Sequence, residues 1–221
     1  MALINKIQGT CCRCGKVHDL DAYGSINVSQ DPDLKEKVKD GSLFVWECEA
    51  CGSKNLLAAE TLYHDPDKKL MIWLLPLGSM ASEQAESLGA QLSRIAESLD
   101  GYTLRRVSDV GSLIEKVNIC DAGLEDVVIE MCKYVTKMEL AEKSGEKAAE
   151  IIDAPFKFFR LQGADNQLIF SFPLDGQMQG VPVGFSVYED CRGILQRNPA
   201  ATDSISGFAR IDADWLAQFF R

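Results

Sequence analysis

The sequence predicts an α+β fold: a β-rich N-terminal module, central helices, and a small C-terminal antiparallel sheet with a terminal helix. Three observations predict it. Two Cys-x-x-Cys pairs, Cys11/Cys14 and Cys48/Cys51, each followed at once by glycine, punctuate a first segment of short apolar runs. From about residue 80 the apolar residues recur three or four apart, the helical period. After residue 155 short runs rich in phenylalanine and isoleucine return. The segments so defined are 1–78, 79–150 and 151–221.

In the first segment, Leu3 to Ile7 reads as a strand entering the first cysteine pair, and Asp21 to Val28 as one after it. Residues 31–40 form a short charged helix capped near Asp31. Leu43-Phe44-Val45-Trp46 runs as a strand into the second pair. Asn55 to Leu62 and Lys69 to Leu75 are two further strands. The Asp and Pro content of Tyr63-His64-Asp65-Pro66-Asp67 makes a turn between them.

In the second segment Ala85, Leu88, Leu92, Ile95 and Leu99 mark one face of a helix over 80–99, stopped at Gly101. Tyr102 to Val107 is a strand, and Ser108 and Asp109 cap a helix reaching Val117. Gly123 breaks the pattern before a second helix, Leu124 to Glu139. Residues 139–150 are charged and rich in alanine, and read as an extension of that helix or as a mobile linker. In the third segment Phe156 to Leu161 and Gln167 to Phe172 form a hairpin, and Val183 to Tyr188 a third strand. Asp190 to Leu195 is helical. Asp212 caps a last helix whose Trp215, Leu216, Phe219 and Phe220 need cover, from the strand face with Phe158, Ile169 and Phe170 or from another subunit.

The cysteine spacing points to zinc. Two cysteines separated by two residues wrap a tight turn and aim both thiolates at one ion, and four thiolates complete the tetrahedron zinc prefers. The trailing Gly15 and Gly52 supply the left-handed backbone such a knuckle needs. Cys11, Cys14, Cys48 and Cys51 are the expected ligands of one Zn²⁺. Thirty-three residues lie between Cys14 and Cys48, more than the usual fifteen to twenty, roughly, and an insertion with structure of its own closes at little entropic cost. Cys12 sits inside a knuckle and reads as a neighbour of the ligands. His18, four residues after Cys14, reads as a bystander with a ligand role as the alternative. Cys120 and Cys132 read as core residues; Cys191 has no assigned role.

Composition bounds the function. The chain carries a net charge of −10 over 221 residues, and no third of it has more basic than acidic residues. Nucleic-acid binding, common among zinc ribbons, needs clustered Lys and Arg; Lys68-Lys69 and Arg105-Arg106 are the only basic dipeptides. The apolar stretch from Leu70 to Leu77 is far short of a bilayer span. Met1 leads into Ala-Leu-Ile-Asn-Lys-Ile without the pattern of a signal peptide, so the sequence predicts a cytoplasmic protein with reduced cysteines.

These residues resemble the CpXC family of bacterial and archaeal proteins, named for two Cys-Pro-x-Cys motifs. The resemblance runs beyond the cysteines to Ser25-Ile26-Asn27-Val28, Asp31-Pro32-Asp33-Leu34-Lys35, Asp40-Gly41-Ser42-Leu43, Leu62-Tyr63-His64-Asp65 and Leu113 to Val117. Cys12 and Glu49 stand where the family often has proline, which stiffens a knuckle but ligates nothing. The resemblance implies the zinc site and implies no reaction.

The leading functional reading is a zinc-binding protein with a structural four-cysteine site, acting through contacts with a protein partner whose identity the sequence does not give. One alternative is a hydrolase-type enzyme with a separate site, for which the candidates are His18 and His64, the latter beside Asp65 and Asp67. The other is a nucleic-acid-binding ribbon. Among the motifs there is no His-Glu-x-x-His and no phosphate-binding glycine loop.

Overall fold

The computed structural model describes residues 2–78, 87–91, 94 and 100–220. The chain divides into two compact units, Met1–Ile114 with Gly207–Ala209, and Glu115–Ser206 with Arg210–Arg221. The architecture is the α+β arrangement the sequence predicts.

The first unit is built on a five-stranded sheet. Its strands are β1 (Leu3–Thr10), β2 (Val17–Asn27), β5 (Thr61–Asp65), β6 (Leu70–Leu74) and β7 (Thr103–Val107), in the order β1-β2-β5-β6-β7. β1 and β2 pair antiparallel, β2 and β5 parallel, β5 and β6 antiparallel, and β6 and β7 parallel. The run Leu70-Met71-Ile72-Trp73-Leu74 is apolar without interruption because β6 is buried on both faces, as an inner strand with a parallel neighbour must be. Ile72, Leu74 and Tyr63 are fully buried and form the centre of this core. Helix α1 (Asp33–Lys39) buries Leu34 and Val38 and exposes Asp33, Glu36 and Lys37.

A separate two-stranded sheet pairs β3 (Val45–Glu47) with β4 (Lys54–Leu56). The strand expected over 55–62 is thus two strands, β4 and β5, with residues 57–60 between them outside any strand. Tyr63, His64 and Asp65, expected in a turn, belong to β5. Asp65 tolerates a buried strand position because its Oδ2 accepts from Lys35 Nζ at 2.9 Å and its Oδ1 from the Lys68 amide at 3.1 Å. The turn follows at 66–69. Of the helix expected over 80–99, residues 87–91 and 94 are helical; Ala85, Leu92, Ile95 and Leu99 lie outside the described residues.

Helix α2 (Val110–Asp121) begins in the first unit and continues in the second. The second unit is centred on α3 (Asp126–Lys143), whose Val128, Ile129 and Cys132 are buried. Helices α4 (Ala148–Asp153), α5 (Phe185–Gln196) and α7 (Ala213–Leu216) pack on it, and α6 (Pro199–Asp203) follows α5. A three-stranded antiparallel sheet runs β10 (Gln177–Val183), β9 (Gln167–Leu174), β8 (Lys157–Gln162). Phe158, Leu168 and Phe170 of its inner face are buried, and the Phe156 and Phe172 rings stack at 4.2 Å.

The third strand lies earlier than the expected Val183 to Tyr188: Val183 ends β10, and Phe185 to Tyr188 open α5. β10 follows β9 through Asp175-Gly176, both with positive φ, the two-residue turn that matches strand twist. Its Pro182 sits on an edge strand, where no ladder hydrogen bond is lost. The last helix is shorter than expected but docked. Asp212 Oδ1 accepts from the Trp215 amide at 3.0 Å, Trp215 and Leu216 are buried, and α7 packs against α3.

Deleting residues 212–221 is expected to lower the unfolding midpoint of the second unit, because loss of a buried aromatic such as Trp215 costs roughly 3–5 kcal/mol. Calorimetry of the shortened chain checks this; an unchanged midpoint with an altered oligomer size would assign the helix to assembly instead. Among the described residues, no helix is long and apolar enough to cross a membrane.

Candidate metal centre

Both cysteine pairs are turns of β-hairpins, and the two turns are built alike. The first joins β1 to β2, where Thr10 faces Val17; the second joins β3 to β4, where Glu47 faces Lys54. In the first, the Cys11 amide donates to Lys16 O at 2.9 Å and the Gly15 amide to Cys11 O at 3.0 Å. In the second, the Cys48 amide donates to Ser53 O at 2.9 Å and the Gly52 amide to Cys48 O at 2.8 Å. The glycines take φ of 72° and 66°. A side chain there would strain each knuckle, which is why glycine follows each pair.

The hairpins bring four sulfurs together. The Sγ atoms of Cys11, Cys14, Cys48 and Cys51 all lie within 4.8 Å of one another. Cys11 lies 3.6 Å from Cys51, and Cys14 lies 3.6 Å from Cys48, so each close pair spans both knuckles. All four are free thiols. A disulfide would hold its sulfurs at about 2.05 Å, whereas a tetrahedral ion with bonds of about 2.3 Å separates them by about 3.8 Å. The cluster is therefore capable of coordinating a metal, and the donor set and its spacing fit zinc.

The thiols already show the strain of crowding. The Cys14 amide is the largest influence on Cys11 and, with the Arg13 amide, draws its pKa down to about 6 against desolvation. At Cys51 the Ser53 amide pulls the same way, but desolvation and the Cys11, Cys14 and Cys48 sulfurs outweigh it and push the thiol up to about 12. The first proton leaves such a cluster easily. A cation among the sulfurs favours the loss of the remaining protons.

Two neighbours missing from the sequence-derived ligand set organise the cluster. Asn55 of β4 is buried; its Oδ1 accepts from the Cys12 amide at 2.8 Å and its Nδ2 donates to Ser53 O at 2.8 Å. One side chain thereby fastens the first knuckle to the second. His18 of β2 places Nε2 3.2 Å from Cys48 Sγ, and its ring packs 5.2 Å from that of Trp46. His18 stands outside the four-sulfur set, with Nε2 within hydrogen-bond distance of one of its sulfurs. Cys12 is exposed and also outside the set. Nothing in the spacing singles out Asn55, because its partner amide is 43 residues away.

The candidate around His64 is not gathered into one site. His64 Nε2 lies 3.0 Å from Tyr102 Oη, while its neighbour Asp65 is held by Lys35. Alternation along β5 puts the two side chains on opposite faces. Partial burial, opposed by Asp65, lowers the His64 pKa and favours the neutral ring.

Two matching hairpin knuckles with converging sulfurs define a zinc-ribbon-like module. The chain belongs to the CpXC family: the family model described as CpXC protein matches residues 10–133. That span opens one residue before Cys11 and closes within α3. No match was found among curated proteins or among solved structures.

Proposed function

We propose that Cys11, Cys14, Cys48 and Cys51 hold one zinc ion, and that the ion is structural. The observation that carries this reading is the mutual approach of four sulfurs, within 4.8 Å, from two knuckles of the same build. Four cysteine ligands fill a tetrahedron and leave no position for water or substrate. The ion then ties hairpin β1–β2 to hairpin β3–β4, and its binding free energy is folding free energy. Free thiols throughout the described cysteines fit a reducing compartment such as the cytoplasm.

The module acts, in this reading, by protein contact. Val45 and Leu56 face each other across β3–β4 and remain 46% and 63% exposed. An apolar cross-strand pair left in water beside a rigid metal knuckle is a natural contact point for a partner protein. The excess of acidic residues throughout the chain disfavours a phosphate backbone as that partner.

Metal analysis tests the assignment. Protein purified under reducing conditions is expected to carry about one equivalent of zinc, released by a chelator together with loss of the native fold. A metal-free protein with the full native fold would reject it, as would an ion held by only two of these cysteines.

A further inference from the structure

The second unit contains a cleft of about 490 Å³, within the range that takes small organic ligands. Tyr134, Met138, Ile152, Phe156, Leu216 and Phe220 make its walls largely apolar. Tyr134, Met138 and Ile152 are 45%, 39% and 45% exposed. Large apolar side chains left in water and gathered in one concave place mark a binding site more than the same residues scattered singly.

The charges along the cleft are nearly all matched. Lys133 Nζ lies 2.7 Å from Glu130 and 3.1 Å from Glu115. Lys157 Nζ lies 3.8 Å from Glu115. Asp212 and Asp214 both face Arg210, at 2.6 and 3.9 Å. Lys137 is the exception. Its Nζ donates to the Ile152 carbonyl at 2.9 Å and lies 5.4 Å from the centre of the Phe156 ring. Among the described residues no carboxylate lies within 4.0 Å of it; Glu130 and then Asp153 act on it from farther away. Desolvation first, and then the charge of Lys133, lower its pKa. A partly buried ammonium whose hydrogen-bond partner is a neutral carbonyl is a place where an incoming anion is favoured.

We propose that this cleft binds a small organic anion, a carboxylate on an aliphatic or aromatic body, with the charged end at Lys137 and the body along Tyr134, Met138 and Ile152. The apolar walls supply most of the burial, and the lysine fixes orientation and selects for charge. The site shares no residue with the cysteine cluster, so its test does not depend on the metal.

Octanoate and 1-octanol match in chain length and differ in charge. Titrated calorimetrically into the full chain, octanoate is expected to saturate one site and to bind about tenfold or more tightly than 1-octanol, as a charge-assisted contact provides. Lys137→Met should erase that preference, and Lys137→Arg should keep it. Ile152→Glu, at an exposed position, should set a carboxylate beside Lys137 and displace octanoate while the chain stays folded, which keeps the test decisive if Lys137→Met does not fold. Equal binding of the two probes, no saturable binding of millimolar octanoate, or an unchanged preference in Lys137→Met or Ile152→Glu would overturn the proposal.

Discussion

With zinc held at the cluster as proposed, Cys48→Ser is expected to strip the ion from the N-terminal module and release both hairpin turns. Cys48 is fully buried, and its sulfur meets both Cys14 Sγ and His18 Nε2. Serine offers a harder and shorter ligand, so three sulfurs remain to hold the ion. Structural zinc contributes about 10–16 kcal/mol in small peptides, while a whole domain is stable by only about 5–15 kcal/mol. The elements that depend on the ion most are those with least core of their own. The β3–β4 sheet has two strands of three residues, and Asn55 is its one buried side chain; such a ribbon is marginal alone. The β5–β6–β7 part keeps Tyr63, Ile72 and Leu74 packed and should outlast it. Hydrogen exchange read with zinc content checks this. Amides of 45–56 and of the first knuckle should lose protection as zinc falls below about one equivalent, whereas Cys12→Ser, outside the cluster, should change neither. A Cys48→Ser protein that keeps its zinc and its protection would refute the structural role.

What could be read from the sequence follows the range of the interactions. The knuckles are local: two residues between sulfurs and a glycine after them determine each turn, so Cys11, Cys14, Cys48 and Cys51 stand out before any fold is known. The long periodic helix α3 and the Phe158–Phe170 hairpin are local in the same sense. β5 was hidden because Asp65 looks like a turn residue, and what lets it sit in a strand is Lys35, 30 positions away. β10 was hidden because it is an exposed edge with little apolar alternation, recruited by β9 through the Asp175-Gly176 turn. Asn55 and Lys137 are polar residues whose meaning comes from what the fold sets beside them, so no spacing rule marks them; spacing brought His18 into view, but only the fold sets it beside Cys48 Sγ.

A second large effect is expected at Glu115. Its carboxylate is buried on α2 and joins three elements: Oε1 accepts from the Phe158 amide of β8 at 2.7 Å and lies 3.1 Å from Lys133 Nζ on α3. Glu130 also pairs with Lys133, at 2.7 Å. Burial alone would push the Lys133 ammonium down; Glu115 and then Glu130 outweigh it and hold its pKa above the usual lysine range. Glu115→Ala leaves that ammonium with half its compensation and orphans the Phe158 amide. Breaking a buried pair on one side costs roughly 3–5 kcal/mol. Glu115→Gln, which still accepts from the amide, should cost less. Replacing both partners, Glu115→Met with Lys133→Met, should not recover the loss, because Glu130 is then buried without its lysine and the Phe158 amide stays orphaned. The pH dependence has a definite sign. A raised lysine pKa gives stability that is complete below the unfolded value, about 10.4, and that fades as pH rises through the higher folded value. The gap between wild type and Glu115→Ala should therefore be full at neutral pH and narrow only in strong alkali. Urea unfolding of the three variants at neutral and alkaline pH measures each of these terms, and a Glu115→Ala midpoint equal to wild type would mean that the carboxylate does not hold the second unit together.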